Sequence, residues 1–126
     1  MNDEEKLALA GAYIAASRAG DTEAVVDLSE PDAVVWHNHD GLEVDVATMT
    51  RTLRWLHRTV PDVAWADVAL TATSTGFVWE AVMTGSAPGG RLSVCTCVVV
   101  TVSPAGKIAS IHEYLDRAAL APLTGG

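Results

Sequence analysis

The stretch Ala33-Val34-Val35-Trp36-His37-Asn38-His39-Asp40-Gly41 concentrates side chains that could do chemistry. Histidine is the side chain whose ordinary pKa lies near neutrality, so it suits proton transfer or metal ligation. The segment reads as the end of a strand. Alternation there puts Val35, His37 and His39 on one face and Val34, Trp36 and Asn38 on the other. The face that looks into a pocket supplies either two imidazoles or an indole and an amide, and alternation does not choose between them. Further along, Trp79 and Met83 share a face of an apolar strand, as the wall of a pocket for a flat, apolar ligand would. Glu113 lies inside a core-facing strand pattern, where an unpartnered carboxylate would be costly.

These residues need elements to position them. A helix is predicted over about 4–19, ending at Gly20, and a short one over about 22–29, capped by Asp21 and stopped before Pro31. The first strand covers about 33–39. A third helix starts near Asp45 and closes at Pro61. Its apolar residues Val46, Met49, Leu53, Leu56 and Val60 recur at alternate spacings of three and four, the strongest helical signal in the chain. Trp55 lies off that stripe, so it is either exposed or covered by something else, such as a partner subunit. Val63–Thr73, Gly76–Ala87, Arg91–Ser103 and Lys107–Leu115 read as strands joined by turn residues, hence as antiparallel hairpins. Asp116 caps a short segment, Arg117–Leu120. The pattern is α+β: a long sheet curling around helices and leaving an interior pocket at its open end.

Composition bounds the function. The 126 residues make one domain with its own core, and 49% apolar content excludes a disordered chain. A net charge of −8 opposes binding to nucleic acid or anionic lipid. No apolar run is long enough to span a membrane, and the acidic N-terminus does not read as a signal peptide, so a cytoplasmic location is expected. Arg51, Arg54 and Arg58 are spaced as a solvated helix face. Cys95 and Cys97 cannot easily bridge at i, i+2 in a strand and are expected to be buried small hydrophobes.

Three segments resemble one fold family. Tyr13-Ile14-Ala15-Ala16-Ser17-Arg18-Ala19-Gly20-Asp21 is similar to the first helix of ketosteroid isomerases. Thr59-Val60-Pro61-Asp62-Val63 resembles the break after the third helix of SnoaL-like proteins. Lys107-Ile108-Ala109-Ser110-Ile111-His112-Glu113-Tyr114-Leu115-Asp116 resembles their last strand. The resemblance is to the SnoaL-like, nuclear-transport-factor-2-like superfamily and covers nearly the whole chain, taken as a single domain over 1–126. It implies a cone-shaped α+β barrel, a curved antiparallel sheet wrapped around three helices. It places Tyr13 on the isomerases' oxyanion-hole tyrosine, and His37 on their catalytic base, or Asn38 with one residue of slip. Val98 stands where those enzymes carry a protonated aspartic acid, which argues against ordinary steroid isomerisation. Glu113 matches a catalytic aspartate of limonene epoxide hydrolases, but Ala81 and Met83 stand where that triad needs an arginine and an aspartate.

The resemblance therefore implies a cofactor-free enzyme acting next to a carbonyl of a polyketide-, terpenoid- or steroid-like molecule. His37, Tyr13 and Glu113 would be its catalytic residues. Trp36, Asn38, His39, Trp79 and Met83 would be its substrate contacts. The alternative is a non-catalytic module that binds a small apolar molecule. A homodimer through the outer sheet face is expected in either case. His37-x-His39-x-x-x-Glu43 matches the ligand spacing of a cupin's first metal motif. The helix directly after Glu43 does not fit an all-β cupin, so no metal is expected.

Overall fold

A computed structural model describes residues 1–124. Helix α1 (Asp3–Ala19) begins with a capping box in which Asn2 and Glu5 satisfy each other's backbone N–H groups. It ends at Gly20, whose φ of 66° is the left-handed closure that glycine adopts without strain. Leu9, Ala10, Tyr13, Ile14 and Ser17 form its buried stripe. Helix α2 (Thr22–Asp27) follows, capped by Asp21 as expected. Strand β1 (Ser29–His37) leads through a turn to β2 (Glu43–Asp45). Helix α3 (Val46–Thr59) comes next, its first turn capped by Asp45, which accepts from Thr48 N at 2.8 Å. Strands β3 (Ala64–Ala72), β4 (Gly76–Ala87), β5 (Gly90–Val102) and β6 (Ile108–Leu115) form the meander, and a 3-10 segment (Arg117–Thr124) follows.

The sheet order is β2-β1-β6-β5-β4-β3. All neighbours pair antiparallel except β1 and β6, which run parallel. The sheet curves around the helices without closing, with β2 and β3 as its edges, so the barrel of the resemblance is an open one. Alternation on β5 is strict: Leu92, Val94, Thr96, Val98 and Val100 point inward and are buried. The main core joins Val98 and Val100 to Tyr13, Ile14, Val25, Val35, Phe77 and Ile111, and a second cluster gathers Val60, Met83, Leu92 and Val94.

Two expectations are corrected here. Cys95 is exposed and Cys97 only half-buried, because alternation places both on the outer face opposite Val94 and Thr96. Strand β1 starts at Ser29 rather than near residue 33, carrying Pro31 within it. Its pairing with β6 is irregular between Ser29 and Val34, so no regular ladder bond is asked of the proline nitrogen.

Candidate active site

The parallel pairing of β1 with β6 puts Val35 opposite Ile111, Trp36 opposite His112 and His37 opposite Glu113. Val35 and Ile111 are core residues, so His37 and Glu113, two positions further on, point the same inward way. His37 Nε2 stands 3.2 Å from Glu113 Oε1, with both side chains only about a quarter exposed. Asn38 secures this end of the pair. Its backbone N–H donates to Glu113 O, and its side-chain amide makes two hydrogen bonds with Leu115, Nδ2 donating to the backbone O at 3.1 Å and Oδ1 accepting from the backbone N–H at 2.9 Å.

A cavity of about 230 Å³ opens beside the dyad. An engineered apolar cavity of about 150 Å³ holds benzene, so this one has room for a larger guest. Its sheet wall carries Trp65, Trp79, Met83, Thr96, Val98 and Ile111. Its helix wall carries Tyr13 and Ser17 from α1, and Met49, Thr52, Leu53, Trp55 and Leu56 from α3. Leu120 and Leu123 of the 3-10 segment form part of the rim. The α3 stripe seen in the sequence is therefore only partly buried along Met49, Leu53 and Leu56, because it faces this space rather than packed side chains. Trp55 lines the cavity while 41% exposed, which puts it at the mouth. In the sequence its place off the helical stripe left it either exposed or covered by a partner, with no indication of a cavity. The contribution of the 3-10 segment carried no signal.

The electrostatics follow from the geometry. The hydrogen bond to Glu113 raises the His37 pKa, and burial, which favours the neutral ring, lowers it less; the charges of Glu113 and Asp40 add to the rise. Tyr13 is pushed well above the ordinary tyrosine value, first by burial and then by the Glu113 charge, so its hydroxyl keeps its proton and remains a donor. Tyr13 is fixed by ring contacts with Phe77 and, edge-on, with Trp79. Trp79 in turn donates its indole N–H to Asp67 Oδ1 at 2.9 Å, and Arg18 reaches the same oxygen at 2.8 Å.

Of the residues singled out in the sequence, Tyr13, His37, His39, Trp79, Met83 and Glu113 line one cavity. Trp36 and Asn38 do not. Trp36 packs on the outer face against the rings of His112 and Tyr114, both centroids 5.4 Å away, and the Asn38 amide is occupied by Leu115. A ligand contact is therefore not available to them from inside, and the face left open by alternation is the histidine face. His39 packs edge-to-face on His37 at 5.3 Å. Among the described residues no group of three or more His, Cys, Asp or Glu is arranged to hold a metal ion.

The profile of the SnoaL-like domain family matches residues 10–111 of the chain. The chain belongs to the SnoaL-like domain family. Solved SnoaL-like folds superimpose closely. Wild-type IdmH of Streptomyces antibioticus, described as a candidate polyketide cyclase, aligns with a TM-score of 0.80 at 16% identity, covering 96% of this chain and 99% of that one. AclR of Streptomyces galilaeus, described as a candidate hydroxylase, gives 0.83 at 18% identity over 99% and 88% of the two chains. A SnoaL-like candidate polyketide cyclase from Jannaschia gives 0.84 at 12% over 98% and 94%. At these identities the likeness concerns the SnoaL-like fold itself. No curated protein matches the sequence.

Proposed function

We propose that this SnoaL-like domain is an enzyme that moves a proton next to a carbonyl of an apolar molecule, giving isomerisation, cyclisation or dehydration. The observation that carries this reading is the His37–Glu113 pair, 3.2 Å apart on the wall of an otherwise largely apolar cavity. Glu113 holds the His37 ring and increases its basicity, and the imidazole takes the proton from carbon. The developing enolate oxygen is met by the Tyr13 hydroxyl, which burial keeps protonated. Trp79, Met83 and the aromatic mouth at Trp55 favour a flat apolar body, such as a polyketide, terpenoid or steroid-like skeleton. The description of IdmH as a candidate polyketide cyclase supports that class. The side chains supply both acid and base, so the step calls on no cofactor.

Removing the base by His37→Ala is expected to lower turnover of an activated ketone by about 10²–10⁴-fold. Tyr13→Phe is expected to cost about 10²–10³-fold through loss of the oxyanion donor. Steady-state rates across pH should show one group controlling the acid limb, displaced to lower pH in Glu113→Gln. Unchanged rates in all three variants would contradict these roles, and a wild type with no turnover would leave the domain a ligand-binding module.

A further inference from the structure

Beside the dyad lies a polar atom that the proposed reaction does not use. His39 Nδ1 is the one buried side-chain nitrogen or oxygen among the described residues that has no hydrogen-bond partner. Leaving such a group unpaired costs about 1–3 kcal/mol. A native chain that keeps one beside a cavity calls for an explanation, and ligand recognition is the simplest. His39 lines the same cavity as His37, Glu113 and Tyr13. Its ring meets His37 edge-to-face with centroids 5.3 Å apart, a packing contact rather than a hydrogen bond.

The other ring nitrogen bears on what kind of partner is missing. His39 Nε2 faces Asp40 Oδ2 at 3.7 Å, while Asp40 Oδ1 accepts from Leu42 N at 3.0 Å and so is fixed in the turn. A carboxylate on that side favours the proton on Nε2. Nδ1 then presents a lone pair, and its partner must be a donor. Tyr13, by contrast, presents a donor to the cavity and asks for an acceptor. The two polar demands are complementary and belong to different elements, α1 and the turn after β1.

We infer that the ligand of this cavity is a hydroxy-ketone, or an equivalent with an N–H, whose carbonyl meets Tyr13 and His37 and whose hydroxyl donates to His39 Nδ1. The inference rests on the reading of the cavity as a carbonyl site and adds a specificity residue to it. His39 selects among apolar carbonyl compounds by their second polar group, through a rotation of its ring edge toward the ligand. A site built to receive a hydroxyl rejects the analogue that lacks it, because the site's own polar atom is then left unpaired.

The test is calorimetric binding of two two-ring ketones at mildly alkaline pH: an acetylnaphthalene, and its counterpart bearing a hydroxyl on the far ring. Wild-type protein is expected to bind the hydroxylated ketone about tenfold more tightly. His39→Phe should abolish that preference and leave the affinity for the plain ketone within about twofold. Asp40→Asn, which keeps a side-chain oxygen to accept from Leu42 N in the turn, should shrink the preference by loosening the tautomer. His37→Ala should keep it. Equal binding of the two ketones by wild type, or a preference that survives His39→Phe, overturns the inference and leaves the carbonyl site standing. Failure of both ketones to bind contradicts both readings.

Discussion

At His37 two effects oppose each other. Burial favours the neutral ring and by itself would lower its pKa. The carboxylate of Glu113, 3.2 Å away, outweighs it and raises the pKa above the ordinary 6.5. Alternation exposed both candidate faces of residues 34–39 but could not choose, because the choice is made by pairing with a strand more than seventy residues away in sequence. Once β1 lies parallel to β6, the histidines face in and Trp36 faces out. Glu113 was legible as a carboxylate in a core pattern, but its partner was not. The raised pKa has a stability consequence whose sign is fixed. The stabilisation is fully present below 6.5, where the ring is charged in both the folded and the unfolded state, and is lost as pH rises through the folded-state value. Thermal melts are therefore expected to show wild type losing its advantage over Glu113→Gln as pH rises from 6.5 through the raised folded-state value. A pH-independent difference between the two would contradict the pairing.

At the scale of elements, α3 was the most legible part of the chain and its boundaries held to within a residue or two. Its stripe was read correctly as the inward face, yet the sequence could not show that the face meets a cavity, since cavity and core demand the same residue types. Strand β2 escaped notice because three residues carry no periodicity; it exists because Asp40 and Gly41 turn the chain back on β1. Two elements are held by single residues whose removal is measurable. Asp45→Ala deletes the cap of α3 and is expected to lower the midpoint of denaturant unfolding. Gly20→Ala acts twice. It forces a side chain into the left-handed region, and its Cβ would lie 3.1 Å from the His57 ring. That ring donates from Nε2 to Ser17 O at 3.0 Å, locking α3 to the end of α1. A loss of more than about 1 kcal/mol in denaturant unfolding is expected for Gly20→Ala; a neutral result would contradict the clamp.

For the whole molecule, the sheet has one face turned to the helices and cavity and one turned outward. Along the outer face run Trp36, His112, Tyr114, Cys97 and Val99, with Tyr114 43% exposed and packed edge-on against Trp36. This face is the proposed contact of a homodimer. Sedimentation at micromolar concentration is expected to show a dimer, and Trp36→Asp to shift it to monomer. A stable wild-type monomer would contradict the proposal. No helix among the described residues is long and apolar enough to cross a membrane. The fold was legible at this scale because the order of helices and hairpins leaves few ways to bury the apolar faces. The cavity was legible only as a consequence of that fold, and its aromatic mouth at Trp55 only in three dimensions.

The central claim is that Glu113 holds the His37 ring on the cavity wall and raises its pKa. The most direct measurement is the pH titration of the His37 ring nitrogens by NMR, in wild type and in Glu113→Gln. A His37 pKa above 6.5 in wild type, falling in Glu113→Gln as burial is left unopposed, is the predicted result. A wild-type value at or below 6.5, or one that Glu113→Gln does not move, would contradict it.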